Sequence, residues 1–144
     1  MRISAKGRYA IAALLRMAQA GSDTIVNVTR LSADLGISHI YLEQVFSLLK
    51  RSQLVVSIKG AQGGYRLSCR PEQIRVLDIL RATDSALFER PGKTLGPDAQ
   101  DAEAALDLVA ARLQKAVEEV LAGITLVDLQ EEAARSQGNY MFFI

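Results

Sequence analysis

Cysteine and histidine are nearly absent: the 144 residues contain one of each, Cys69 and His39. An intrachain disulfide and an all-cysteine metal site are therefore excluded. Zinc-ligand sets and Cys/His nucleophile pairs are left without enough members. No apolar run approaches the roughly 20 residues needed to span a bilayer. The apolar stretch from Tyr9 to Leu15 follows a basic start and is broken by Arg16. A signal peptide needs a longer uncharged segment and a cleavage site, so a cytoplasmic protein is expected. No acid/base pair, Ser/His/Asp set or metal cluster stands out, which argues against an enzyme and against a bound cofactor.

What is present is enough for one domain with an appendage. Apolar residues make up 49%, so a core can form. The net charge of +1 hides a split. Residues 1–81 hold 12 Lys/Arg against 5 Asp/Glu, and residues 82–144 hold 5 against 11. A front half at +7 and a back half at −6 point to a polyanionic partner for the front half.

Punctuation by Gly, Asn and Ser divides the front half. Tyr9 to Ala20 reads as a helix stopped by Gly21, and Gly21 to Thr24 as a turn. Asn27 can cap a helix over Val28 to Leu35 that Gly36 ends, and Ser38 can cap the next, running to about Ser52. Leu42, Val45, Phe46 and Leu49 give that helix a buried stripe. Two helices separated by a short Gly turn form a helix-turn-helix pattern. Val55 to Lys59 and Tyr65 to Cys69 flank Gly60-Ala61-Gln62-Gly63-Gly64, the pattern of a β-hairpin. A helix from Val76 to Thr83 follows. The fold class expected is mainly α with one small hairpin: a winged helix-turn-helix domain over 1–83.

Residues 84–98 carry Pro91, Pro97, Gly92 and Gly96 and read as a connecting loop. Then Ala102, Leu106, Val109, Leu113, Ala116/Val117, Val120 and Ile124 recur at three- and four-residue steps. That is an amphipathic helix of about 23 residues with no intrachain partner of matching length. Leu106, Val109, Leu113, Val117 and Val120 are read as core or dimer seam. The acidic residues of this half are read as solvated faces turned away from the polyanion. Thr125 can cap a short last helix to Arg135, so residues 99–136 are read as a dimerisation helix and a short C-terminal helix, and 137–144 as an apolar tail.

Four stretches carry a resemblance: Met1-Arg2-Ile3-Ser4-Ala5-Lys6-Gly7-Arg8-Tyr9-Ala10, Gly36-Ile37-Ser38, Tyr41-Leu42-Glu43-Gln44-Val45-Phe46, and Leu54-Val55 through Gly63-Gly64-Tyr65. They resemble the Rrf-type family of bacterial winged-helix transcription regulators, closely over 1–83 and more loosely beyond. There, Ile124-Thr125-Leu126-Val127-Asp128-Leu129 is another family-like segment. The resemblance implies a homodimer that sets its third helix in the major groove of DNA and its wing in the neighbouring minor groove. Some members hold an iron–sulfur cluster on three cysteines between wing domain and long helix. Residues 84–105 have no Cys and Cys69 lies too early, so an iron–sulfur or redox sensor lacks its ligands here.

The end of the chain, Tyr140-Met141-Phe142-Phe143-Ile144, resembles the CymR-like branch. Its members repress sulfur-assimilation and cysteine genes in complex with cysteine synthase (O-acetylserine sulfhydrylase). That enzyme accepts partner tails ending in Ile in its active-site cleft. The alternative for this segment is an apolar end folded back onto its own dimer.

The DNA-facing set is then Arg2, Lys6, Arg8, Ser38, His39, Ile40, Tyr41, Glu43, Gln44, Ser47, Arg51, Lys59, Gly60, Gly63 and Gly64. Gln44 offers a donor and an acceptor to adenine, Glu43 accepts from a cytosine amino group, and Ile40 meets a thymine methyl. The competing reading of Glu43 and Gln44 is a solvated helix face. His39 is read as a phosphate or water contact, not a metal ligand. Tyr41 has two readings, a phosphate hydrogen bond or partial core packing. Arg2, Lys6, Arg8, Arg51, Lys59 and Arg66 supply affinity through phosphates. Lys6 and Arg8 begin the first helix, whose free N–H groups favour an anion. Lys59 flanks the wing turn. The wing glycines lack the Lys-Ser/Thr of a nucleotide loop and are read as tight turning and close approach to DNA. Tyr65 is expected under the wing and Cys69 as a small buried hydrophobe.

Overall fold

The computed structural model describes residues 2–142, and the side chains of residues 2–138. Helix α1, Ala5–Ala20, starts four residues before the point the sequence indicated. Ser4 caps it, its Oγ accepting from the Gly7 N–H at 3.2 Å. Gly7 looks like a poor helix former, yet the packing demands it. A Cβ there would stand 2.9 Å from Leu80 Cδ2 and 3.0 Å from Ile3 Cγ2.

The helix-turn-helix is α2, Val28–Leu35, and α3, His39–Arg51. Asn27 Oδ1 accepts from the Arg30 N–H at 3.2 Å, and Gly36 leaves α2 in the left-handed conformation at φ 67°. Ser38 Oγ accepts from the Tyr41 N–H at 3.4 Å and opens α3. Leu42, Val45, Phe46 and Leu49 are fully buried against Ala10, Ala13 and Leu14 of α1. Helix α4, Val76–Thr83, closes that core with Ile79.

The wing is an antiparallel pair, β1 Val55–Ile58 and β2 Gly64–Leu67, in register Val55↔Leu67 to Ile58↔Gly64. A third backbone joins it. Val26 donates to the Tyr65 carbonyl at 2.7 Å and accepts from the Tyr65 N–H at 2.9 Å. This approach explains Gly64, where a Cβ would lie 2.3 Å from Val26 O, and the turn explains Gly63, where it would lie 2.2 Å from Ile58 O. Close backbone approach within the protein's own chain therefore fixes both glycines. Gly64→Ala is expected to cost about 1–3 kcal/mol or more, because backbone cannot yield as a side-chain tip does. Urea denaturation checks this, and an unchanged midpoint would contradict the clash.

The segment expected to be loop is partly ordered: residues Ser85–Phe88 form a short 3₁₀ turn. Helix α5, Gln100–Ala122, has the 23 residues expected. Helix α6, Leu126–Phe142, overruns the expected end at Arg135, because Gly138 does not stop it. The join between α5 and α6 is planted in the wing domain. Val76 donates to the Ile124 carbonyl at 2.8 Å, and Leu126 donates to the Ile74 carbonyl at 2.9 Å. Leu126 is fully buried in the common core. The start of α6 thus shares the core of the wing domain.

Arg75, beside this joint, grips Asp78 through Nη2 to Oδ1 at 2.8 Å and Nε to Oδ2 at 3.1 Å. That side-chain hydrogen bonding holds the Asp78 carboxyl below its usual value, against an opposing effect of burial. A carboxyl depressed by folding adds stability above its unfolded value, about pH 4, and loses it as pH falls through the depressed folded value. Melting temperature should therefore fall less on acidification in Asp78→Asn than in the wild type. Parallel curves between pH 2 and 6 would contradict this.

Candidate nucleic-acid interface

Opposite its buried stripe, α3 exposes His39, Ile40, Glu43, Gln44, Ser47, Lys50 and Arg51. Ile40 is 74% exposed, an unusual position for a large apolar side chain and a suitable one for a thymine methyl. Lys50 belongs to this face and was missed. It sits seven residues after Glu43, two helical turns on, which is the signal that finds it. Arg30 on the exposed side of α2 was missed as well.

Glu43 Oε1 lies 3.7 Å from His39 Nε2, one turn away on the same face. Burial first, and the Glu43 charge second, push the Tyr65 phenol above its ordinary value. Tyr65 packs on Phe46 with ring centres 4.7 Å apart. The recognition helix and the wing are therefore joined by aromatic packing, with Tyr65 where the sequence put it. Tyr41 meets Tyr9 edge to face at 5.3 Å and is half-buried against the core. Of its two readings, packing is what the geometry displays.

Lys59 is exposed at the end of β1, and Gly60 stands in open space at φ 112°. Arg66 is half-buried and turns back, donating to the Leu67 carbonyl at 3.4 Å. Arg2 and Arg8 are exposed and Lys6 half-buried. Ser4, Lys6 and Tyr41 line one shallow hollow with residues 83–86, so the starts of α1 and α3 open on the same side. Among the described residues, several cations of the front half are left without an acidic neighbour. Asp34 is taken by Arg16 and Asp78 by Arg75, at 2.9 and 2.8 Å. Arg2, Lys6, Arg8, Lys50, Arg51 and Lys59 have no ion-pair partner among the described residues.

On α5 no residue is fully buried. Leu106, Val109, Leu113 and Val120 are between 50% and 64% exposed along one face, and Leu108, also exposed, lies on another. Val117 is half-buried and, with Leu113, lines a hollow with Leu87, Phe88 and Pro91 of its own chain. The opposite side of α5 is pinned to the wing domain by Arg81 to Glu118 at 3.5 Å and by Arg90 Nε donating to Gln114 at 3.0 Å. Tyr140, Met141 and Phe142 end α6 with side chains outside the described set, and Phe143 and Ile144 lie outside the described residues. No helix among the described residues is long and apolar enough to cross a membrane.

A recognition helix beside a wing is a familiar way to read DNA, and the comparisons agree with it. The Rrf2 family model, described as iron-dependent transcriptional regulator, matches residues 3–132. The chain belongs to the Rrf2 family. This Rrf2 chain is 35% identical to the HTH-type transcriptional regulator CymR of Bacillus subtilis over 144 residues, covering 100% of each. It is 40% identical to the HTH-type transcriptional regulator IscR of Aliivibrio salmonicida over 87 residues, 60% of this chain and 52% of that protein. Its fold is similar to the solved structure of CymR (YrzC), the global cysteine regulator of B. subtilis. The TM-score is 0.73 at 33% identity, over 92% of this chain and 98% of that one. It is a DNA-binding winged helix-turn-helix transcription regulator, mainly α with one hairpin.

The family description names iron, and the residues of this chain do not fit it. Among the described residues no three His, Cys, Asp or Glu side chains come together to hold a metal ion. Cys69 follows β2, half-buried beside Ser68, and His39 opens α3. The loop before α5 supplies neither residue type.

Proposed function

We propose that this Rrf2 regulator is a homodimeric repressor of cysteine and sulfur metabolism genes. It places α3 in the major groove and the wing in the adjacent minor groove. The observation that carries the reading is the pairing of two unpartnered surfaces on one chain: a basic face around α3 and the wing, and an apolar stripe along α5. The full-length match to a global cysteine regulator supports the choice of genes.

In this reading Ile40, Glu43, Gln44 and Ser47 meet base edges, and Ser38 and His39 lie beside the backbone at the helix start. Arg2, Lys6, Arg8, Lys50, Arg51 and Lys59 meet phosphates. An isologous dimer through α5 sets the two recognition helices about 34 Å apart, one turn of DNA, on an imperfect palindrome. Each phosphate contact removed flattens the dependence of log affinity on log salt by about 0.9. Lys59→Ala should show that change at each half-site in a fluorescence titration, and an unchanged slope would remove Lys59 from the interface.

The gene set is tested by mapping bound sites across the genome in cells grown with and without cysteine. Sites at cysteine-synthesis and sulfur-uptake genes, with occupancy that follows cysteine, are expected. Sites confined to unrelated genes would overturn the assignment.

A second reading concerns Tyr140 to Ile144, and the match to CymR across the entire chain favours it. In it the segment docks in cysteine synthase and couples that enzyme to DNA binding. Loss of the enzyme from pull-downs after deletion of residues 142–144 is expected. Its retention would assign the segment to the dimer instead.

A further inference from the structure

The first residue after α4 does more than begin a linker. Asp84 is only 8% exposed, one of the few buried charged residues among those described. Three backbones meet on it. Its N–H donates to the Leu80 carbonyl at 2.7 Å and ends α4. Its carbonyl accepts from Leu87 at 3.0 Å and starts the turn toward α5. Its side-chain Oδ2 accepts from the Ser4 N–H at 2.8 Å, across 80 residues of sequence.

The same oxygen would lie 3.3 Å from a Cβ at Gly7, so the start of α1 is seated directly on it. Ser4 spends its own Oγ on the Gly7 N–H, so Asp84 is the group that holds the chain just before the helix. Arg2 precedes that point by two residues and Lys6 follows it by two. Without the Oδ2 contact the half-buried Ser4 N–H loses its acceptor and must turn to water, which frees the arm.

We propose that Asp84 is a positioning residue for DNA binding. It fixes the N-terminal arm so that Arg2 and Lys6 face the duplex beside the start of α3. The inference rests on the DNA-binding geometry proposed above. It adds a residue that touches no nucleic acid and lies in the stretch that the sequence marks as connecting loop.

The test measures the salt dependence of affinity of the full chain for its mapped operator duplex. The variants are Asp84→Ala, Asp84→Leu, Asp84→Asn and the pair Arg2→Ala with Lys6→Ala. The Arg2/Lys6 pair should flatten the slope by about 1.8 for each bound protomer. Asp84→Ala should flatten it to the same extent and weaken binding at least about tenfold at 0.1 M salt. Adding Asp84→Ala to the pair should change nothing more. Asp84→Asn, whose amide oxygen still accepts from Ser4, should restore the wild-type slope. Asp84→Leu fills the buried space without an acceptor and should behave as Ala, which keeps the test open if Ala fails to fold.

Faster amide exchange at Ser4 in Asp84→Ala and Asp84→Leu, but not Asp84→Asn, reports the released arm in the absence of DNA. A steep slope in folded Asp84→Ala or Asp84→Leu, with a flattened slope in the pair, would overturn the role of Asp84 and leave the DNA geometry standing. An unchanged slope in the pair would remove the arm from the DNA, and the role of Asp84 with it.

Discussion

Glu at both Val109 and Leu113 should yield a folded monomer whose operator affinity is lower by about three orders of magnitude, toward the non-specific level. Both side chains project from α5 into solvent, 64% and 57% exposed within the single chain. Val109 and Leu113 are both largely exposed, and only Leu113 touches the open hollow lined by Leu87, Phe88 and Pro91, so the fold should persist. In a two-fold dimer each carboxylate would face the same seam from both sides, desolvated and close to a like charge. A monomer reads one half-site where the dimer reads two, and most of the specific affinity goes with the second. Light scattering reports the mass and a gel shift reports the binding. A dimer that survives both substitutions would contradict the assignment of the seam to α5.

Leu126→Ala should cost about 2–5 kcal/mol. A domain of this size is stable by only about 5–15 kcal/mol, so the loss is a large share of the whole. The reason lies in where the side chain sits. Leu126 is fully buried, and its N–H is tied to Ile74, whose side chain is also fully buried. Truncation leaves a cavity where α6, the turn before α4 and α1 converge. Urea denaturation at fixed protein concentration checks it. A midpoint equal to that of the wild type would mean that α6 is an appendage after all.

The helix-turn-helix was legible because its signals are local. Asn27, Gly36 and Ser38 are caps and a stop whose effect is felt within four residues, and the stripe from Leu42 to Leu49 needs only the helical period. The recognition face follows from the same period, and Lys50 was available to it. The start of α1 was hidden because Gly7 reads locally as a helix breaker, while its cause, the approach of Leu80, lies more than seventy residues away. Val26 beside Tyr65 is one residue of strand, too short for any alternation to register. The seating of Leu126 and the capture of Ser4 by Asp84 are long-range pairings that no local pattern encodes. Val117 shows the limit of periodicity. It fits the three- and four-residue steps of the stripe, yet the hollow it shares with Leu87, Phe88, Pro91 and Leu113 is set by the preceding loop and not by the period.

The central claim is that one chain carries a DNA-reading head and a dimer seam set for two half-sites. Selection of bound duplexes from a random-sequence pool, followed by footprinting of the winners, tests it most directly. The expected winner is an imperfect palindrome with half-site centres one helical turn apart, about 34 Å, each half protected in a major groove and the minor groove next to it. Enrichment of no duplex at low salt, or of sites without two-fold symmetry, would contradict it.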